Sequence, residues 1–561
     1  MSKMSQTVYS RPAPVTLTGR RWPDATIKQA PIWCAVDLRD GNQALPSPMT
    51  PEQKRKYFQL LCDLGFPQIE VGFPAAAADE YKFTRDLIEG NLVPPGVTIS
   101  VLVQARPELI ERTLESLQGV KRGIIHFYIA TSELHQQFVF GKTPAQQVDM
   151  AVAATRQIRD GAKALAGSQI GLEFSPEEFT DTKLDFALEI CNRVVEAWEP
   201  KVGERVILNL PATVERRLPN EYADLIEEFL GRQRQPDRTL VSLHAHNDMG
   251  MAVAATMLGL KAGAGRVEGT LFGHGERTGN VDLVTCALNL EYLGVKTGLN
   301  FDQLPEVAET VEEVTGIETH PRHPYAGEFV FTAFSGSHQD AIHKGLGRKD
   351  ELARHFGGWK IPYLHVSPDA IGRSYERFIR INSQSGKGGI AHVMEQDHNV
   401  KLPRWVQTDF AHRVQAFADE VRRELTSKEL WTIFKFHYKK HGTPIELLGY
   451  WPRPTDENPD LVEGEVRLNF HGKKEIQKAV GNGPISAFVH AIKDIPGIPE
   501  FVLDDYEEGT RGRSAEAEAI CFVKLRLAAT GDAHIGVGLG SNIDQAAARA
   551  IVAALNALIK E

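Results

Sequence analysis

The stretch that decides the fold is Thr239-Leu240-Val241-Ser242-Leu243-His244-Ala245-His246-Asn247-Asp248. It starts with an apolar run that is typical of a buried strand. Because successive side chains of a strand alternate, His244 and His246 point to the same side. Two imidazoles at a strand end form half of a divalent-metal site. A lone His-x-His is more often an ordinary pair of hydrogen-bonded histidines, so the rest of the chain must decide between the two interpretations.

Two further strand-like runs also end in polar residues. Residues 33–38 lead into Arg39 and Asp40, which offer a fixed cation beside an oxygen ligand. Residues 267–272 lead into a segment rich in glycine that contains Glu276 and Asn280. Three strand ends therefore carry the donor groups of one candidate metal site.

The alternation of strand and helix signals predicts a TIM barrel, a (β/α)8 fold, followed by an α+β region. The eight strand candidates are 32–38, 68–73, 97–103, 124–130, 169–174, 205–210, 239–246 and 266–272. Between the first two, Thr50, Pro51 and Gln53 predict a helix start with a capping box. The competing architecture is a doubly wound open sheet, but its glycine-rich phosphate turn does not follow the first strand.

Changes in composition and in the strand and helix patterns divide the chain into four parts. We expect an N-terminal arm over 1–30, the barrel over 31–305, linker subdomains over 306–440 and a C-terminal domain over 441–561. The last part contains a weak internal repeat of strand, Gly-x-Gly and helix. The glycines of this repeat are Gly481, Gly483, Gly538 and Gly540. A glycine-rich loop at a helix N-terminus can hold a carboxylate, although plain turn chemistry explains such glycines equally well.

Composition excludes several classes of protein. The 561 residues are too many for one core, and 42% hydrophobic and 24% charged residues are ordinary for a globular protein. A formal net charge of −10 argues against nucleic acid or an anionic membrane as partner. The five cysteines form no CxxC, and the N-terminus lacks the apolar segment of a signal peptide. We therefore expect a cytoplasmic protein.

Three blocks of sequence together resemble the alpha-isopropylmalate synthase family, which also contains homocitrate and citramalate synthases. The blocks are Leu38-Arg39-Asp40-Gly41-Asn42-Gln43 with Lys54 downstream, His244-x-His246-Asn247-Asp248-x-Gly250-x-Ala252, and Gly273-x-Gly275-Glu276-Arg277-x-Gly279-Asn280. Their order and spacing fit, and the resemblance runs from about Pro31 to the C-terminus.

The resemblance implies a role for each candidate site residue. The metal ligands are Asp40, His244, His246 and Asn280, a mixture of nitrogen and oxygen donors that suits Mg²⁺ first and Mn²⁺ or Zn²⁺ as alternatives. The implied catalytic residues are Arg39, Glu276, His338 and Tyr363, with His338 as the base and Glu276 orienting it. The implied substrate-binding residues are Arg39, His126, Glu173 and Thr213.

The implied reaction is a Claisen-type condensation of acetyl-CoA with 3-methyl-2-oxobutanoate, followed by hydrolysis of the thioester. The resemblance further implies a homodimer, feedback inhibition by leucine through the C-terminal domain, and K⁺ as a candidate activating ion. Sister synthases that use pyruvate or 2-oxoglutarate remain alternatives, because one methylene changes the selectivity of an apolar pocket by only about 1–3 kcal/mol. A lyase or a carboxyltransferase on the same barrel, and a non-catalytic binding protein, are weaker alternatives.

Overall fold

The computed structural model describes residues 12–333, 335–375, 387–421, 425–439, 444–511 and 517–559. The chain divides into two compact units, Met1–Val330 with Pro368–Ser374 and Phe331–Ser367 with Tyr375–Glu561. The start of the predicted N-terminal arm and the predicted boundary at 440/441 lie outside the described residues. Across the described ranges, no helix has the length and apolar character needed to span a bilayer.

The first unit contains the predicted barrel. Eight parallel strands close in sequence order, each paired with its neighbours and β1 paired with β8. The strands are β1 Ile32–Ala35, β2 Gln68–Gly72, β3 Thr98–Gln104, β4 Arg122–Ala130, β5 Gln169–Glu177, β6 Val206–Ala212, β7 Thr239–Ala245 and β8 Arg266–Gly269. The open-sheet alternative is therefore wrong.

Helices alternate with these strands. They are α1 Pro51–Asp63, α2 Ala78–Glu89, α3 Pro107–Ser116, α4 Pro144–Ala164, α5 Leu184–Trp198, α6 Pro219–Gly231, α7 Ala252–Lys261, α8 Leu283–Tyr292 and α9 Leu304–Thr315. The predicted capping box of α1 is confirmed, since Thr50 accepts from the Gln53 amide and the Gln53 side chain accepts from the Thr50 amide. Apolar residues such as Phe58 and Leu61 then face the barrel.

Two strands are three residues shorter than predicted, and both differences lie at the site. β1 ends at Ala35, and Asp37–Gly41 forms a π-helical turn that carries Arg39 and Asp40. The buried Asp37 carboxylate stabilises this turn by accepting from the Tyr57 hydroxyl at 2.7 Å and the Leu271 amide at 2.8 Å. The other strand, β8, ends at Gly269, where a side chain would collide with the Val281 carbonyl.

The second unit begins with helices and ends with two sheets. The helices are α10 Gly336–Leu346, α11 Lys349–Phe356, α12 Lys387–His398, α13 Arg404–Val421 and α14 Ser427–Tyr438. The first sheet has the order β11-β10-β9, with β9 Ile445–Pro454, β10 Val462–Phe470 and β11 Lys473–Gly481, and is followed by α15 Pro484–Lys493. The second has the order β12-β13-β14, with β12 Phe501–Arg511, β13 Glu518–Leu527 and β14 Ala533–Gly540, and is followed by α16 Ile543–Leu558.

The internal repeat exists, but each copy is larger than the sequence suggested. It consists of three antiparallel strands and a helix, rather than one strand, a loop and a helix. Gly538 and Gly540 lie inside β14 and Gly481 is the last residue of β11, so three of the four glycines lie in strands and not in loops, which corrects the prediction. A Cβ on Gly538 would stand 2.0 Å from the Ala546 carbonyl oxygen of α16, and one on Gly481 would stand 2.4 Å from the Ala487 amide of α15. These two glycines therefore let each helix approach its sheet closely.

We expect Gly538→Ala to destabilise the second unit by about 1–3 kcal/mol or more, because the methyl group must displace helix backbone. Gly483→Ala is the matched control, since a Cβ there meets nothing within 4 Å. Thermal unfolding followed by calorimetry measures the difference. Equal melting temperatures for the two variants would contradict the packing role of Gly538.

Candidate active site at the barrel mouth

The carboxyl ends of the barrel strands surround a cavity of about 310 Å³. Its lining residues are Arg39, Asp40, Gln43, Leu102, His126, Tyr128, Ser175, Glu177, Asn209, Pro211, Thr213, His244, His246, Glu276 and Arg277. Most of the predicted site residues of the barrel are therefore brought together. This position is where barrels of this kind carry their chemistry.

Three of the predicted metal ligands converge at one point. The Nε2 atoms of His244 and His246 each lie 3.4 Å from Oδ2 of Asp40. The ligand atoms of these three buried residues all lie within 4.8 Å of one another. The Nδ1 atom of His244 is hydrogen-bonded to Glu268 at 2.8 Å, and that of His246 to the Thr213 carbonyl at 2.7 Å. Glu268 thus orients the His244 ring, while Nδ1 of His246 lies between the Thr213 carbonyl and Nη2 of Arg277, which is also at 2.7 Å. Both Nε2 atoms are directed at the cluster.

Asn280 completes the cluster. Its Nδ2 donates to Asp40 Oδ2 at 2.8 Å and to the His274 carbonyl at 3.0 Å, and its Oδ1 is buried without a hydrogen-bond partner among the described residues. Because the two ends of a carboxamide have the same shape, a half-turn of this group would direct the oxygen toward Asp40 and the imidazoles, with loss of the hydrogen bond to His274. The donor set of two imidazoles, one carboxylate and one unpartnered amide oxygen fits a divalent cation.

The charges of the cluster favour a bound cation. Burial alone would raise the pKa of Asp40, but Arg39 and the hydrogen bonds to the two histidines hold the pKa well below its ordinary value. Burial also opposes protonation of His244, yet hydrogen bonds to Asp40 and Glu268 raise its pKa to about 9. The negative charges around His244 thus favour a positive charge in the cluster, which a divalent cation bound at Nε2 would supply in place of a proton.

Arg39 is fixed by two carboxylates. Its Nε donates to Glu70 and its Nη1 to the neighbouring Asp40. Glu70 is fully buried and also accepts from His126 Nδ1 at 2.6 Å. The guanidinium is thus held at the cavity wall, beside the metal cluster, without rotamer freedom to lose when a substrate binds.

Glu173 was assigned to the substrate pocket, and the structure corrects this position. Its carboxylate lies below the cavity and is bound by Arg266, whose Nη1 and Nη2 donate to the two oxygens at 3.1 and 3.0 Å. This contact offsets part of the cost of burying the carboxyl group. Burial raises its pKa well above the ordinary value, although Arg266 acts in the opposite direction.

The alternation of β5 explains which residues replace Glu173. Glu173, Ser175 and Glu177 point into the barrel at increasing height, and only the upper two line the cavity. The same alternation places Tyr128 above His126 on β4, and Pro211 above Asn209 on β6. These strands were predicted from the sequence, and side chains alternate along a strand. This alternation alone could have identified Ser175, Glu177, Tyr128 and Pro211 as candidates for the cavity wall.

Thr213 and Glu276 lie at the cavity wall as predicted. The Thr213 hydroxyl accepts from the Glu178 amide at 2.9 Å, which leaves its own hydrogen available to a ligand oxygen. Glu276 is 3.4 Å from the Gln43 amide nitrogen.

The predicted base lies in the second unit. His338, half-buried on α10, stacks on Tyr363 with ring centroids 3.9 Å apart and an interplanar angle of 21°. Tyr363 is 62% exposed and has a left-handed backbone with φ of 61°. The structure therefore brings these two predicted residues together, while their relation to Glu276 stays a prediction.

Family models match almost the whole chain. An HMGL-like model matches residues 30–311, a model of the alpha-isopropylmalate synthase post-catalytic domain matches 328–395, and a model of the LeuA allosteric (dimerisation) domain matches 424–559. The 2-isopropylmalate synthase of Rhodospirillum rubrum is 47% identical over 97% of this chain and 97% of its own length. The chain belongs to the 2-isopropylmalate synthase family.

Other members of the family are similarly close. The 2-isopropylmalate synthase of Parafrankia sp. is 47% identical over 98% of this chain and 97% of its own. That of Ralstonia nicotianae is 44% identical over 100% of this chain and 96% of its own. The chain is thus an enzyme, an acyltransferase of the 2-isopropylmalate synthase type, and the non-catalytic alternative is wrong.

Proposed function

We propose that this enzyme condenses acetyl-CoA with 3-methyl-2-oxobutanoate and hydrolyses the thioester to give (2S)-2-isopropylmalate and free CoA. The observation that carries the proposal is the cluster of Asp40, His244 and His246 beside Arg39, at the mouth of a cavity in a member of this family. Such a cluster binds and polarises an α-keto acid, which is the electrophile of the condensation.

Asp40, His244, His246 and Asn280 would hold the divalent cation, with Mg²⁺ as the first choice and Mn²⁺ or Zn²⁺ as alternatives. When bound, the ion supplies Lewis-acid polarisation of the ketone. Arg39 stabilises the negative charge that develops on the former keto oxygen, because its guanidinium is fixed beside the cluster by Glu70 and Asp40. Thr213 donates its hydroxyl hydrogen to the substrate carboxylate.

The cavity wall provides the selectivity for a branched side chain. Leu102 and Pro211 give apolar surface on opposite strands, and the ring of Tyr128 is oriented by a 2.9 Å hydrogen bond from Gln104. An isopropyl group fills such a space by apolar contact, whereas the second carboxylate of 2-oxoglutarate would lose its hydration there.

His338 removes the proton from the acetyl methyl group, because an imidazole has a pKa near working pH. The stacked Tyr363 limits the orientations of this ring.

Release of the CoA thiol tests the reaction directly. With Mg²⁺ and acetyl-CoA, we expect 3-methyl-2-oxobutanoate to be preferred over pyruvate, 2-oxobutanoate and 2-oxoglutarate in kcat/KM, the preference over 2-oxobutanoate being about 10–200-fold for one methyl group. Identification of the product by mass spectrometry serves as the control for simple thioester hydrolysis. A preference for pyruvate or 2-oxoglutarate would leave the chemistry in place but assign the enzyme to a sister reaction.

We further propose that leucine inhibits the enzyme through the C-terminal unit. The N-terminus of α15 follows Gly481 and Gly483, and that of α16 follows Gly538 and Gly540. Free amides and the helix dipole at such an end attract a carboxylate. Gly483 is the more suitable of the four glycines, because the space around its α-carbon is open within 4 Å.

Gly483→Asp should weaken leucine inhibition, because the introduced carboxylate occupies the helix N-terminus that the leucine carboxylate would use. Aspartate is a favourable residue at this N-cap position, so the variant should fold. The measurement is the leucine concentration for half inhibition, with turnover in the absence of leucine as the control for an intact catalytic unit. Unaltered inhibition in Gly483→Asp would contradict this location.

A homodimer is part of the same proposal, supported by the match of residues 424–559 to a dimerisation domain. Light scattering of the purified enzyme should give about twice the chain mass of 62.2 kDa. A mass equal to one chain at micromolar concentration would contradict it.

A further inference from the structure

A ring of seven hydrogen bonds encircles the cavity and is closed by one ion-pair contact, between His244 Nε2 and Asp40 Oδ2 at 3.4 Å. It joins eight residues from seven barrel strands or the turns that follow them. In order around the ring they are Asp40, Arg39, Glu70, His126, Ser175, Asn209, Glu268 and His244, and His244 returns to Asp40. The ring therefore connects the metal cluster on one side of the cavity with the substrate wall on the other.

Between Asn209 and Glu70, on the substrate side of the ring, each hydrogen-bond donor points to the next residue in the same direction. Asn209 Nδ2 donates to Glu268 Oε2 and to Ser175 Oγ, both at 2.9 Å. The Ser175 hydroxyl then donates to His126 Nε2 at 2.7 Å, and His126 Nδ1 donates to Glu70 at 2.6 Å. With this assignment each hydrogen has an acceptor.

Glu268 is the point at which the two sides meet. Its Oε2 accepts from His244 Nδ1 at 2.8 Å and from Asn209 Nδ2 at 2.9 Å. Its Oε1 accepts from Arg266 Nη1 at 2.6 Å, and both side chains are fully buried. One carboxylate thus fixes the tautomer of a metal ligand and the amide orientation of a residue that lines the substrate cavity.

We propose that Glu268 is a positioning residue that sets the metal affinity through His244 and the keto-acid affinity through Asn209. This inference rests on the proposed metal site. Glutamine at this position has one oxygen, which Arg266 retains by charge. The amide nitrogen then faces His244 Nδ1 and Asn209 Nδ2 as a third donor. His244 relieves this conflict by moving its hydrogen to Nε2, the atom that should bind the cation.

Glu173 provides a matched control within the same group of buried charges. It is also fully buried and accepts from the same guanidinium, through both oxygens. No hydrogen bond joins it to His244 or Asn209 among the described residues. Glu173→Gln therefore changes a partner of Arg266, and of Glu268 itself, without removing a hydrogen bond to His244 or Asn209.

The test compares the metal-free full-length wild type, Glu268→Gln and Glu173→Gln by titration with Mn²⁺, using electron paramagnetic resonance to measure free Mn²⁺. Asp40→Asn is the reference for a site that has lost a ligand. We expect Glu268→Gln to bind Mn²⁺ about 10–100-fold more weakly than the wild type. It should also raise the KM for the keto acid at saturating metal, while Glu173→Gln keeps the wild-type values.

Unchanged Mn²⁺ affinity in Glu268→Gln would overturn the inference, and so would an equal loss in both glutamine variants, because that result points to general disruption around Arg266. Should Glu268→Gln fail to fold, Glu268→Asp and Glu173→Asp repeat the comparison, since a shorter carboxylate keeps its charge but withdraws from its partners. A wild type whose Mn²⁺ binding is no tighter than that of Asp40→Asn would instead overturn the proposed metal site and this inference with it.

Discussion

The active site depends on the hydrogen bonds and ion pairs of one buried group, the guanidinium of Arg266. It donates to Gln68, Glu173, Ser242 and Glu268, which belong to four different barrel strands. Two carboxylates at the centre of a barrel would carry a large desolvation cost without a cation between them, and loss of one partner of such a group costs about 3–5 kcal/mol. Because Arg266 neutralises Glu268, that carboxylate remains ionised and available to His244.

The strand pattern of the barrel was predictable, because parallel strands covered on both faces are continuous apolar runs. The ends of the strands were not, because they depend on contacts far away in sequence. β1 ends just before Asp37, whose carboxylate accepts a hydrogen bond from the amide of Leu271, 234 residues further along the chain. The candidate metal ligands could be proposed because three strand ends carry nitrogen and oxygen donors in blocks that resemble a known family, and the structure brings Asp40, His244 and His246 together. The height of Glu173 along its strand could not be read from its residue type.

The strands of the C-terminal unit illustrate a different limit. β11 has the sequence Lys473-Lys474-Glu475-Ile476-Gln477-Lys478-Ala479-Val480-Gly481, in which four charged residues outnumber three apolar ones. Such a strand is stabilised by its neighbour and by ion pairs such as Lys478 with Glu465 across the sheet. The second sheet differs, since residues such as Phe522 and Val537 pack on α13 and α14 while Val523 and Leu525 pack on α16. Its central strand β13 is therefore apolar on both faces, which makes it easier to recognise from sequence than β11.

The hydrogen-bonded ring also explains why buried polar residues occur in a barrel interior that apolar side chains would fill more cheaply. An apolar core holds its shape through packing, but it cannot fix which nitrogen of an imidazole carries the proton. Glu268 fixes this for His244 by accepting from Nδ1, and Arg266 in turn holds Glu268 in place. The ring of His246 is held by the Thr213 carbonyl and by Nη2 of Arg277, both 2.7 Å from its Nδ1. Because these hydrogen bonds come from residues that the barrel holds in place, they fix the orientation of both imidazole rings. The ring nitrogens then point to one place, which is what a metal site requires.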